Sequence, residues 1–185
     1  MKKILTILAA IFFTTSAQAA ENLAWKIVPA QSKIEFKVAQ DSSTISGSFK
    51  KFGGTINFDK AQLNKSKVAI DIDTSSITVS LAEAAGTVQS AEWLSTKSFP
   101  KATFVAEKFT AVGKSFRADG NLTLKGKTVP AILEFSFDEY SAAKAHAVGK
   151  ATIKRSAFAV GNSDVKKANG VKDEIEISFS ITAEK

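Results

Sequence analysis

From Lys33 to Val38 the chain alternates strictly, with apolar Ile34, Phe36 and Val38 set against charged Lys33, Glu35 and Lys37. Successive side chains of a β-strand point to opposite faces, so a period of two with charge on one side describes a half-buried antiparallel strand. The same alternation returns at Val68, Ile70 and Ile72 against Lys67, Asp71 and Asp73, and again through Val129, Ala131, Leu133, Phe135 and Phe137. It closes the chain at Ile175, Ile177, Phe179 and Ile181, opposite Glu174, Glu176, Ser178 and Ser180. Further strands are expected at 45–52, 55–58, 102–112, 116–124 and 142–154. Gly53-Gly54, Val112-Gly113-Lys114 and Lys125-Gly126-Lys127 punctuate them and read as hairpin turns. Several of these strands are about ten residues long, and at ~3.3 Å per residue they reach about 30 Å. Long strands joined by tight turns predict an all-β, up-and-down antiparallel barrel rather than a Greek-key sandwich.

Composition decides what such a barrel is filled with. The 185 residues include no cysteine, 3 Pro and 10 Gly, which excludes collagen, a long disordered chain and a disulfide framework and leaves one globular domain. Fourteen Phe stand beside one Tyr (Tyr140) and two Trp (Trp25 and Trp93), so the large side chains mostly lack a polar handle and belong in an oily interior. The formal charge of +7 comes almost wholly from Lys, with Arg only at Arg117 and Arg155. The lysines alternate with acids along polar strand faces, where they protect edges and keep the chain soluble. Readers of nucleic acid lean on Arg and exposed aromatics, so nucleic acid is not the expected partner. Lys166-Lys167 and the charges up to Lys172-Asp173-Glu174 read as a solvated loop.

The first nineteen residues have another purpose. Lys2 and Lys3 precede an apolar run from Ile4 to Phe13, and Ala17-Gln18-Ala19 supplies an A-x-A site, the layout of a secretory signal peptide cleaved after Ala19. The apolar run is about half of the roughly 20 residues that span a bilayer. The expected organisation is therefore a leader over 1–19 and one domain over 20–185, not membrane-spanning after cleavage. Export and the lack of cysteine together point to a bacterial periplasm.

One segment departs from the β pattern. Ser80 and Glu83 form an S-x-x-E capping box ahead of an Ala-rich run, Ser90 stands where a second short turn carrying Trp93 and Leu94 would begin, and Pro100 disfavours further helix. A short helical insertion across a barrel end or wall is expected. His146 shares the polar strand face with Lys144 and Lys150 and reads as solvent-facing. Asp71 and Asp73 share a wet strand face with no third ligand suggested, and no nucleophile-elbow, zinc-protease or phosphate-loop motif occurs. No catalytic residue, metal ligand or cofactor is assigned, and the chain is read as a non-enzyme.

The interior is more informative. Phe36, Phe104, Phe116, Phe135, Phe137 and Phe179, with Ile34, Val38, Leu122, Leu133 and Ile177, are the residues expected to line a barrel of about eight strands, just wide enough to be filled by side chains or to hold one small ligand. Ala143, Ala145, Ala147, Gly149 and Ala151 put only small residues on one strand face. Either this wall is thin so that a cavity remains, or the backbone packs closely there; periodicity alone does not separate the two.

Over nearly the whole mature length the chain resembles the YceI family of periplasmic, lipocalin-like proteins. The likeness rests on Trp25 with Gln31-Ser32-Lys33-Ile34-Glu35-Phe36, on Ile45 to Phe49 and Gly54 to Asp59, on Ile72 to Ile77, and on Ser98 to Phe104. The stretch from Ala118 to Pro130 resembles the family's G-x-L-T-[IL]-x-G-x-T-x-P hairpin, and Ile153 to Phe158 its I-x-R-x-x-F stretch. The resemblance implies an extended eight-stranded antiparallel barrel with a helical insertion and an elongated apolar pocket for a polyisoprenoid lipid or isoprenoid quinone. Some relatives occur with a membrane cytochrome of the b561 type. Many members carry His where this chain has Gln31, and an R-D-x-H-L stretch where it reads Glu83 to Leu94. The altered insertion is expected to abut the pocket mouth, so the resemblance carries over the barrel and chain site and not the head group.

The expected function is therefore to bind, carry or sequester a long-chain isoprenoid lipid or quinone without catalysis, with Arg155 and then Arg117 as candidates either for head-group contact or, equally, for a surface or structural role. The alternative is a scaffold whose insertion, through an exposed Trp93, docks a membrane redox or envelope partner. A monomer or a homodimer fits either reading.

Overall fold

The computed structural model describes residues 24–161, 164 and 167–185, so the expected leader over 1–19, its expected cleavage site and Lys166 lie outside the described residues. Eleven strands form one sheet: β1 (Ala24–Ile27), β2 (Lys33–Gln40), β3 (Ser43–Phe49), β4 (Phe52–Asn57), β5 (Lys67–Asp73), β6 (Ile77–Val79), β7 (Lys101–Val112), β8 (Ser115–Leu124), β9 (Lys127–Tyr140), β10 (Lys144–Lys154) and β11 (Val171–Glu184). Their order is β1-β4-β5-β7-β8-β9-β10-β11-β2-β3-β6, and β1 also pairs with β11, which closes the sheet. Three pairs of short strands are single staves broken in the middle. The 3₁₀ turn Pro29–Gln31 interrupts β1/β2, Lys50-Lys51 interrupts β3/β4, and the 3₁₀ turn Thr74–Ser76 interrupts β5/β6. Proline starts the first break because it has no N–H to give to the ladder. The long β11 runs along both halves of the first stave, pairing Ile177 with Phe36 of β2 and Ala183 with Ile27 of β1. The result is a closed, eight-staved, antiparallel up-and-down barrel, as the alternation predicts.

Two of the three expected hairpin turns form. Val112 pairs with Ser115 around Gly113-Lys114, and Leu124 pairs with Lys127 around Lys125 and Gly126, whose φ values of 49° and 74° are those of a primed two-residue turn. Gly53-Gly54 is not a turn; both lie inside β4, opposite Asp71 and Ile70. Gly54 has φ 141°, and a Cβ there would run into the Ala69 carbonyl, so the glycine serves a close approach of β4 to β5. The expected loop to Glu174 is also shorter. Lys172, Asp173 and Glu174 belong to β11, where Glu174 pairs with Lys154 and Asp173 accepts bonds from Ser156 N and Oγ, both 2.9 Å.

The insertion is helical, but its cap differs from the expected one. Helix α1 covers Ala84–Gln89, with Glu83 at the N-cap making no side-chain bond. Ser80 is held by the sheet instead: its N donates to Ser46 O at 2.8 Å and its Oγ accepts from Ser46 N at 3.1 Å. The β3–β6 ladder thus takes the hydroxyl that the capping box requires. Ser90 does organise the next turn, through its carbonyl, which accepts from Trp93 N and Ser95 N.

β6 has β3 as its sole strand neighbour among the described residues, so the wall parts between β6 and β7. The insertion sits over that parting. At the opposite end the barrel is shut by rings. Phe58, 3% exposed, meets Phe109, Phe116, Phe135, Phe137 and Tyr140 with centroids 5.3–6.4 Å apart, mostly edge to face.

Candidate functional site

The lumen between these two ends is not filled. A deep lobe of about 170 Å³ lies against the aromatic end, and a mouth lobe of about 400 Å³ lies beneath the insertion. By the same measure one water needs about 10–15 Å³. Ile34, Ile72, Leu122, Ile153 and Ile177 line both lobes and form the waist that joins them.

Ten of the eleven lining residues expected from the alternation face this space. Phe104, Leu133, Phe135, Phe137 and Phe179 line the deep lobe, Phe36 and Val38 the mouth lobe, and Ile34, Leu122 and Ile177 the waist. Phe116 does not reach it. It is the second residue of β8 and belongs to the aromatic closure, where it stacks on Phe135 at 5.6 Å and 28° and meets Phe58 edge-on. Phe58 ends the expected 55–58 strand, alternating with Ile56, but it lies one residue past β4 and is not among those eleven. Leu81, Val88, Trp93 and Leu94 belong to the insertion, where no strand period applies. Ile70 and Ile72 were legible, since they lie in the β5 alternation.

A phenylalanine-rich lumen stays open because the rings lie against the wall. A Cβ on Gly47 would strike the Phe36 ring, one on Gly120 would come within 2.6 Å of Phe104 Cζ, and one on Gly149 would strike Phe179 Cζ. Each glycine lets a ring from a neighbouring strand lie flat across it. The small-residue face of β10 therefore does both things left open by the sequence: Ala145, Ala147 and Ala151 border the deep lobe, while Gly149 is a point of close packing.

The deep lobe carries two residues with polar side-chain atoms, and both turn those atoms away. Trp25 Nε1 donates to Phe58 O at 2.8 Å and the Tyr140 hydroxyl donates to the same carbonyl at 3.4 Å, leaving ring carbon toward the lumen. Burial pushes the Tyr140 phenol above its usual range. The polar groups of the cavity collect at the mouth, where Gln40, Glu83, Thr87, Asn169 and Arg155 line it.

Arg155 is 1% exposed. Its Nε donates to Lys172 O at 3.0 Å, Nη1 to Val160 O at 3.0 Å and Nη2 to Val171 O at 2.9 Å, and the guanidinium lies 5.7 Å from the Trp93 ring. It pins the turn after β10 to the start of β11 and brings a buried cation to the mouth wall. Arg117 is on the outer face, with Nη2 2.6 Å from Asp119 Oδ1, and has no part in the lumen. That bond and the paired charge raise the Arg117 guanidinium above its usual value, while the same hydrogen bond lowers the Asp119 carboxyl.

Trp93 is half-buried and packs toward two clusters of the core, touching the space beside Gly161. The insertion is fastened from outside by Lys125, whose Nζ donates to Glu92 O and Ala159 O, both at 2.7 Å. Desolvation lowers the pKa of this ammonium.

The outer wall holds one arrangement with the outline of a nucleophile and base. His146 Nε2 is 2.8 Å from Ser180 Oγ, and His146 Nδ1 is 3.3 Å from Asp138 Oδ2. Ser180 sits in mid-strand, paired with Val148 on one side and Lys33 on the other, so its backbone belongs to the ladder and is not disposed as an oxyanion hole. Asp71 and Asp73 are separately engaged, with Lys101 at 3.1 Å and with Ser75. Among the described residues no group of three or more His, Asp or Glu is placed to hold a metal, and no helix is long and apolar enough to cross a membrane.

An up-and-down barrel, closed by rings at one end and roofed by a short helical insertion over a hydrocarbon-lined lumen at the other, is a lipocalin-like architecture. The sequence profile of the YceI-like domain matches residues 25–183, and the chain belongs to that family. Protein YceI of Salmonella newport (strain SL254) is 34% identical over 128 residues, covering 69% of this chain and 67% of that protein. Among solved structures, Burkholderia cenocepacia BcnA superposes with a TM-score of 0.78 at 29% identity, over 84% of this chain and 98% of that one. A polyisoprenoid-binding domain from Saccharophagus degradans has the same fold, with a TM-score of 0.69 at 15% identity over 86% of this chain and 97% of that one.

Proposed function

We propose that the protein binds, and thereby carries or sequesters, a long-chain isoprenoid lipid or isoprenoid quinone in the barrel lumen, without catalysis and after export to the periplasm. The observation that carries this reading is the two-lobed lumen, hydrocarbon-walled at depth and polar only at its mouth. Such a gradient suits an amphiphile entering tail first. Burying several hundred Å² of tail at ~25 cal/mol per Å² has a gross value on the order of 10 kcal/mol before ordering costs reduce it. The Saccharophagus degradans neighbour, a polyisoprenoid-binding domain, supports the ligand class. In this reading Arg155 faces the head group chiefly as a fixed positive charge, because three of its N–H groups already serve backbone carbonyls.

The alternative, a scaffold docking a membrane cytochrome or envelope partner through Trp93, called for an outward indole. Trp93 packs inward and lines the mouth lobe, which favours the lumen reading. The test is mass spectrometry of an organic extract of the mature protein, purified without detergent from a bacterial periplasm beside a control protein. A stoichiometric prenyl lipid or quinone is expected. An empty extract, still empty after incubation with prenyl alcohols and quinones, would overturn the proposal.

A further inference from the structure

We infer that Phe58 is the end-stop of the lumen and sets the longest tail that can be wholly buried; this rests on the proposed lumen binding. The lumen is a dead end. Its lining on β11 runs from Val171 at the mouth to Ala183 at depth, which at ~3.3 Å per residue and a strand tilt of about 40° is a path of about 30 Å. At the far end Phe58 stands across the bore, 3% exposed and wedged among five other rings.

The stop is fixed from behind. The Phe58 carbonyl accepts from both Trp25 Nε1 and Tyr140 OH, so the backbone that carries the ring is tied to β1 and to the end of β9. Asp59 N, the next amide, donates to Ser66 Oγ at 3.1 Å, and Ser66 is 1% exposed. Lys60 Nζ lies 4.6 Å and 4.1 Å from the centroids of Phe137 and Tyr140 and covers the closure from outside with a cation. A tail that advances past the deep lobe must displace a packed ring and then meet this charged lid. A tail too long for the bore therefore leaves its surplus at the polar mouth, where added methylenes bring no further burial.

The test is a homologous series of linear fatty alcohols and, in parallel, prenyl alcohols of increasing length, each titrated against the whole mature protein by displacement of a fluorescent fatty probe. Below the limit each added methylene tightens binding about fourfold. Above it the affinity stops rising. Phe58→Ala moves the break to longer chains, so that the first alcohols beyond the wild-type limit bind the variant about fourfold tighter per newly buried methylene. Phe58→Trp moves the break to shorter chains and covers the case in which the alanine variant does not fold. The wild-type series is itself decisive. Affinity that climbs without a break, or a break that stays in place in both folded variants, would overturn the end-stop while leaving lumen binding intact. Failure of every chain length to displace the probe would instead overturn lumen binding, and the end-stop with it.

Discussion

Replacing Gly149 by alanine is expected to destabilise the barrel and narrow its lumen together. A Cβ at this position would strike Phe179 Cζ and would lie 2.6 Å from Glu134 O and 2.7 Å from Phe135 Cβ. The Phe179 ring can swing away, but only off the wall and into the deep lobe. The Glu134 oxygen is backbone of the neighbouring β9, so relief there means parting a ladder that pairs Gly149 with Phe135 on one side and Phe179 on the other. Forced overpacking of this kind costs about 1–3 kcal/mol. For a domain of this size each kcal/mol lowers Tm by about 2–4 °C, so a drop of about 2–12 °C is expected. Gly53→Ala is the matched control. It sits in β4 with nothing within 4 Å of a built Cβ, and lowering the entropy of the unfolded chain makes it neutral or more stable by about 0.4–1 kcal/mol. Thermal and urea unfolding of both variants reads stability, and displacement of a fluorescent fatty probe reads the lumen. If Gly149→Ala unfolds with the wild type and binds the probe unchanged, the account of glycines holding rings against the wall is wrong.

Two further outcomes follow from the mouth. Arg155→Met removes the donor to the Lys172, Val160 and Val171 carbonyls, and unsatisfied buried acceptors of this kind make a loss of about 3 kcal/mol or more in urea unfolding the expected result; a loss below about 1 kcal/mol would refute the pinning role. The Asp173 carboxyl is held below its ordinary 3.8, with desolvation opposing and outweighed by hydrogen bonds from Ser156 and the nearby Arg155 charge. A depressed carboxyl contributes stability that is full above its unfolded value and is lost as pH falls through the folded one. The stability gap between wild type and Asp173→Asn is therefore widest above pH 3.8 and closes under stronger acid, as read from urea midpoints across pH. A gap unchanged by acid would refute the assignment.

The strands β2, β9 and β11, and the ten residues that they and their neighbours turn into the lumen, were legible because a period of two is a local property. Each strand announces its own buried face before its partner is known. The hairpin at Lys125-Gly126 was legible for the same reason, since backbone with positive φ at both positions is a demand made within two residues. What failed was settled by partners distant in sequence. Gly53-Gly54 looks like a turn until β5 is seen to approach within reach of where a Cβ would stand. Ser80 looks like a cap until β3, 34 residues earlier, claims its hydroxyl.

The lumen itself belongs to this second class. Alternation specifies that Phe36, Phe104 and Phe179 face inward, but an inward ring can fill a core or lie flat against a wall with equal hydrophobicity. Glycines on adjacent strands decide between these, and only the register brings Gly47, Gly120 and Gly149 beneath those rings. Closure at one end likewise depends on Phe58, which alternates with Ile56 at the end of the β4 stretch but shuts the bore only by meeting five rings from β7, β8 and β9. The sequence alone determined which residues turn away from water; whether those residues pack solid or enclose a space was decided by tertiary structure, because volume is a property of all eight staves together and not of any one of them.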